Sequence, residues 1–165
     1  MVPVFLSLGS NHNRTENIRL ALEALNEKFD PLQCSSFYES SAVNQKGKKY
    51  YNAAIGLKTD IPLQEFIDIL KEIEKNQGRD RTQSELVPID IDLLFFGGIV
   101  SLKTEQKIPH PDVLLFPHVL VPLAEIAGDF IHPLTGKSIQ ELCDQSLDRS
   151  GLNKIEKLND NKVSS

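Results

Sequence analysis

Apolar positions fall in runs, alternations and helical spacings whose order predicts a fold. Val2 to Leu8 is an apolar run of strand length, closed by the polar turn residues Gly9, Ser10, Asn11 and Asn13. From about Thr15 to Lys28, Ile18, Leu20, Ala21, Leu22 and Leu25 approximate one face of a helix. LQCSSFYESS and YYNAAIGLKT read as two strands joined by the polar loop NQKGKK and paired as a hairpin. Pro62 opens a second helix in which Leu63, Phe66, Ile67, Leu70 and Ile73 recur at three and four, with Gly78 placed for a left-handed cap. RDRTQSELV is a charged loop, PIDIDLLFF a strand ended by Gly97-Gly98, and IVSL a short partner strand. Strand, helix, strand, strand, helix, strand is the ferredoxin-like order of the α+β class. Extra helices are expected from about Pro117 to Ala127 and Ser138 to Gln145. A single domain over 1–150 and a polar tail over 151–165 are expected.

The fourth strand carries the chemistry. Side chains alternate along a strand, so Asp90 and Asp92 share one face and Ile89, Ile91 and Leu93 take the other. Two close carboxylates repel and raise each other's pKa. A divalent cation relieves this, and magnesium prefers carboxylate oxygens while keeping phosphate oxygens among its ligands. The alternative is a solvent-facing strand edge with two ordinary acids. Upstream, IEKNQGRDR supplies Glu74, Arg79 and Arg81. Guanidinium groups beside a metal site suit phosphoryl transfer; otherwise they are solvated cations at the negative end of a helix.

Composition narrows the partners. The chain has 165 residues and a formal charge of −5, which disfavours general nucleic-acid binding. No apolar run reaches the roughly 20 residues of a membrane span, and the N-terminus lacks a basic lead-in, so a cytoplasmic protein is expected. Cys34 and Cys143 form no CxxC pair and read as reduced, buried thiols. LTGKS lacks the earlier glycine of a phosphate-binding loop, because Ile131 stands there; Gly136 and Ser138 read as a turn and a helix cap. His12, His118 and His132 have no zinc-ligand spacing.

The ordered set LSLGSNHNRTENI, SSFYES, YYNAAIGL, IEKNQGRDR, IDIDLLFFGG and IPHPDVLLFPHVLVPLAEIA resembles the 6-hydroxymethyl-7,8-dihydropterin pyrophosphokinase family. The resemblance covers nearly the whole chain. It implies a ferredoxin-like α+β fold and transfer of pyrophosphate from ATP to the hydroxymethyl group of a reduced pterin, releasing AMP. It implies two Mg²⁺ ions held by Asp90 and Asp92, nucleotide and catalytic roles for Glu74, Arg79, Arg81 and His110, and a pterin pocket from Ser40, Ser41, Val43, Tyr50, Asn52 and His118. A monomer is expected. The chain departs from the family pattern in six places: it has no tryptophan, Leu86 and Val87 stand where an arginine is usual, the loop before the acid pair is about two residues shorter, Phe116 replaces a basic residue, His118 replaces a stacking aromatic, and Ser40-Ser41 replaces a threonine-proline. Other functions left open are action on another pterin-like alcohol, and pterin or nucleotide binding with little catalysis.

Overall fold

The computed structural model describes residues 1–44, 46–145, 148–156 and 158. The N-terminal apolar run is strand β1 (Val2–Ser10), and Val4, Leu6 and Leu8 on it have no exposed surface. It is followed by α1 (Arg14–Phe29), β2 (Gln33–Cys34), β3 (Phe37–Ser40), β4 (Tyr50–Thr59), α2 (Leu63–Asn76) and β5 (Asp90–Phe96). Then come α3 (Asp112–Leu115), α4 (Pro117–Ala127), α5 (Ile139–Gln145) and β6 (Asn153–Ile155). The strands form one antiparallel sheet in the order β5-β1-β4-β3-β6, with β2 also on β4. Its β5-β1-β4-β3 core has the ferredoxin-like order that the sequence predicts.

Helices cover both faces. Ile18, Ala21, Leu25 and Phe29 of α1 and Phe66, Ile67, Leu70 and Ile73 of α2 pack on one face with Leu6, Ile91 and Leu93. Val119, Leu120 and Leu123 of α4 and Ile139 of α5 pack on the other with Ala54, Leu94 and Phe95. Phe66 is fully buried between Phe29 and Phe96, with ring centroids at 5.0 and 5.5 Å. Phe66→Ala is therefore expected to cost about 3–5 kcal/mol, mostly through the cavity it leaves. A denaturant midpoint shift of that size at unchanged slope checks it.

Several expectations are corrected. LQCSSFYESS is two strands, because Ser35 interrupts the ladder: its hydroxyl, at 2.8 Å, accepts from the Ala54 N–H, and the next N–H, of Ser36, turns out to the Glu125 carboxylate. Of IVSL only Ser101 pairs, as an isolated bridge to Ile108. The expected tail contributes β6, an edge strand on β3; its residues 157 and 159–165 lie outside the described residues. Cys34 is exposed, whereas Cys143 is buried; both are free thiols. The Ser138 hydroxyl caps α5 by accepting from the Glu141 N–H. Among the described residues no helix is long and apolar enough to cross a membrane.

One irregularity matters for the site. The β1–β5 register shifts at Phe5/Leu6, so that Leu94 is an extra residue opposite β1. Side-chain parity reverses there: Ile91 and Leu93 face α1 and α2, and beyond the bulge Phe95 faces α4 while Phe96 returns to α2. Asp90 and Asp92, which alternate with Ile91 and Leu93 ahead of the bulge, lie on the α4 side, at the end of the sheet where that helix begins.

Candidate active site

The site starts from the middle of the sheet. Gly9 of β1 is opposite Asp90 of β5 and Asn52 of β4, and Ser7 is opposite Asp92. A Cβ built on Gly9 would come within 3.6 Å of the Asn52 Oδ1 and 3.5 Å of the Tyr50 ring, so the missing side chain keeps this floor open. Above it lies a cleft of about 460 Å³, lined by Ser40, Ser41, Val43, Tyr50, Asn52, Asp90, Asp92 and His118 among others. Its size suits a drug-sized or nucleotide-fragment ligand.

Asp92 is the electrostatic centre. Burial, then the neighbouring Asp90, push its carboxyl up to about 8. A group so disfavoured as an anion, facing a second carboxylate, is a ready ligand for a cation. The structure also brings in residues distant in sequence. The Leu94 carbonyl, displaced by the bulge, accepts the His110 N–H at 3.0 Å. This places His110 Nε2 3.9 Å from the Asp92 carboxylate. The His110 Nδ1 accepts the Asp112 N–H, so Nε2 carries the ring proton and faces the acid as a donor. Ligand atoms of Asp92, His110 and Asp112 lie within 4.8 Å of one another. The sequence reading omitted Asp112; its one signal was a carboxylate two residues after His110 in PHPD.

Glu74, Arg79 and Arg81 stand on the other side of β5. Glu74 is 5% exposed; its carboxylate accepts the Ile91 N–H at 2.8 Å and a guanidinium N–H of Arg81 at 3.1 Å. Burial raises its pKa against the lowering effect of the Ile91 bond. Arg79 donates to the Ile89 carbonyl at 3.0 Å and stands 3.4 Å from Asp90. Arg81 keeps 67% of its side chain exposed and lines a second cavity of about 90 Å³ with Glu74, Asp90 and Asp92. The two acids thus separate a large cleft from a small one and line both.

On the far wall of the large cleft, the Asn52 amide donates to the Ser40 hydroxyl at 2.7 Å, which orients its carbonyl oxygen. Burial and the charge of Asp90 raise the Tyr50 pKa. His118 stacks on Phe116 at 5.3 Å and 26°. Burial lowers its pKa, opposed by Asp112 and Asp90, so near neutral pH it presents an uncharged aromatic face. The chain around Val87 is clamped: the Asn11 side chain accepts the Val87 N–H at 2.7 Å and donates to the Glu85 carbonyl at 2.8 Å. Val87 itself is 3% exposed, so position 87 packs inward and presents no cation to the cleft.

The family model for HPPK, 7,8-dihydro-6-hydroxymethylpterin-pyrophosphokinase, matches residues 5–128. The chain is 36% identical over 149 residues to the folic acid synthesis protein fol1 of Pneumocystis carinii, covering 88% of this chain and 20% of that protein. It therefore spans about a fifth of the length of that relative. It is 33% identical over 154 residues to the 2-amino-4-hydroxy-6-hydroxymethyldihydropteridine pyrophosphokinase of Haemophilus influenzae, covering 90% of this chain and 95% of that one. The crystal structure of wild-type Plasmodium falciparum HPPK-DHPS with SDX-DHP superposes with a TM-score of 0.73 at 14% identity, over 97% of this chain and 48% of that chain, and supports the fold alone. With the model match spanning most of the chain and a relative matched almost end to end, the chain belongs to the 7,8-dihydro-6-hydroxymethylpterin-pyrophosphokinase family.

Proposed function

We propose that this protein transfers the diphosphoryl group of ATP to the hydroxymethyl oxygen of 6-hydroxymethyl-7,8-dihydropterin, releasing AMP, and that it requires Mg²⁺. The observation that carries this is the Asp90–Asp92 pair, which shares one strand face between a cleft and a smaller cavity. Its donor set is rich in carboxylate oxygen, which suits a hard cation. Bound there, Mg²⁺ would neutralise the acids and draw charge from the phosphate oxygens.

The chain's own residues do the rest. Arg81, exposed and among the described residues paired with Glu74, can turn its remaining donors to the nucleotide phosphates. His110 donates from Nε2 beside Asp92, where charge accumulates. Asn52 and the Ser40–Val43 segment offer amide, hydroxyl and backbone partners to the donor and acceptor edge of a pterin. His118 and Tyr50 supply its aromatic walls. In-line attack by the alcohol oxygen forms the new bond to the β-phosphorus and breaks the bond to the α–β bridging oxygen, which leaves with AMP, while the alcohol proton is released to water. The folded unit extends to β6, and a cytoplasmic monomer is the proposed working form.

Incubation of the pure protein with Mg-ATP and the pterin is expected to yield AMP, measured by chromatography. AMP no greater than from an Asp92→Ala control overturns the proposal; saturable pterin binding without turnover would make the protein a binding protein instead.

A further inference from the structure

The large cleft has an unbalanced charge. Among the described residues four carboxylates line it: Glu85, Asp90, Asp92 and Asp112. Among the described lysines and arginines, Lys46 alone lines it. Arg79 is committed to the Ile89 carbonyl and Asp90, and Arg81 faces the smaller cavity from its bond to Glu74. Burial disfavours the charged form of His118. A phosphate-bearing ligand in this cleft therefore meets acids on several sides and one ammonium group.

Lys46 is built into the place where two loops meet. Its N–H is held by the Asn44 Oδ1 at 2.9 Å, and Asn44 lines the cleft with it. The next residue, Gly47, has φ +81, and a Cβ there would stand 3.9 Å from the Glu85 carbonyl. The 46–47 segment thus rests on the 84–85 segment, both at the cleft rim. Lysine carries a point charge on a flexible four-carbon stem, which suits following a phosphate that moves.

We infer that Lys46 is the cation that holds the terminal phosphates on the alcohol side of the cleft. This rests on the proposed diphosphoryl transfer. There the β- and γ-phosphates pass from the Arg81 side to the pterin side, and Lys46 contacts them as they cross and in the product. It is absent from the candidate residues drawn from the sequence, because a lysine in a polar loop carries no signal of its own until the fold lays that loop over acids.

Calorimetry with Mg-α,β-methylene-ATP, which cannot be cleaved at the α–β bridge, tests the inference in the presence of the pterin. Lys46→Gln is expected to weaken binding about tenfold or more, the loss typical of one charge-assisted phosphate bond. Lys46→Arg should stay within about threefold of the parent, and Lys48→Gln, whose lysine does not line the cleft, should match it. Affinity for the pterin alone should be the same in all four proteins. Lys46→Gln binding within about twofold of the parent, an equal loss in Lys48→Gln, or a parent that binds no analogue each overturns the inference. If the parent binds the analogue and Lys46→Gln does not, yet no AMP forms, the proposed activity fails while the phosphate contact stands.

Discussion

Asp92→Asn is expected to abolish turnover by at least about 10³-fold, a loss of about 4 kcal/mol of transition-state stabilisation, and yet to make the metal-free protein more stable at pH 8. The two effects share one cause. An unfolded aspartate titrates near 4, whereas burial and Asp90 hold this one near 8. Between those values the folded protein binds a proton that the unfolded chain has released. Stability therefore falls as pH rises from about 4 to about 8 and is level above that. Asparagine removes the penalty, so the gain is full at pH 8 and absent below pH 4. The Asp92 side chain is 31% exposed, so water screens part of the repulsion. A gain of about 2 kcal/mol, or roughly 4–8 °C in melting temperature, is expected. Calorimetry in chelator at pH 5 and pH 8 checks it, and millimolar Mg²⁺ should stabilise the parent and not the variant. A lower melting temperature for the variant at pH 8 would show instead that the carboxylate is held by a favourable pairing.

The second large effect is expected at Glu74, where alanine and glutamine should part company. Glu74→Ala removes the acceptor of the buried Ile91 N–H and the partner of Arg81. An orphaned N–H and a small cavity together cost about 3 kcal/mol, roughly 6–12 °C. The Ile91 N–H lies between Asp90 and Asp92 in sequence, so under the proposed function nucleotide affinity should fall as well. Glu74→Gln keeps a carbonyl oxygen for that N–H. Because burial disfavours the Glu74 anion, the neutral amide should remain within about 1 kcal/mol of the parent in stability. Equal melting temperatures for the two variants would remove Glu74 from its place as a strut beneath β5.

Much of this was legible in the sequence, for identifiable reasons. β1, α1, α2, α4 and β5 each bury one face or both, so their apolar spacing reports them. The break at Ser35 was hidden because a serine hydroxyl stands in for a backbone acceptor. The bulge at Leu94 was hidden because LLFF is apolar on both faces, so no change of pattern marks a change of parity. β6 was hidden because an edge strand can be polar throughout. In the site, strand alternation alone showed that Asp90 and Asp92 share one face. Asp112 was not legible, since the contact between the Leu94 carbonyl and the His110 N–H, which helps bring the His110–Asp112 turn beside Asp92, is made across distant parts of the chain. Where an arginine is usual upstream of the acids, Asn11 ties the Val87 backbone to the end of β1, a contact that no pattern displays.

The placement of Gly9 between Asp90 and Asn52 has a consequence for which alcohols can react. Two inter-strand steps, about 9.6 Å, separate the backbones of the acid and the amide. Ladder hydrogen bonds set that span, and no loop movement alters it. The sheet is in this sense a ruler. Under the proposed chemistry, a compound whose hydrogen-bonding edge meets Asn52 reaches the acids only if its hydroxyl stands the right distance away. Selection by length is thus built into the backbone, while selection by ring chemistry is left to the side chains around it.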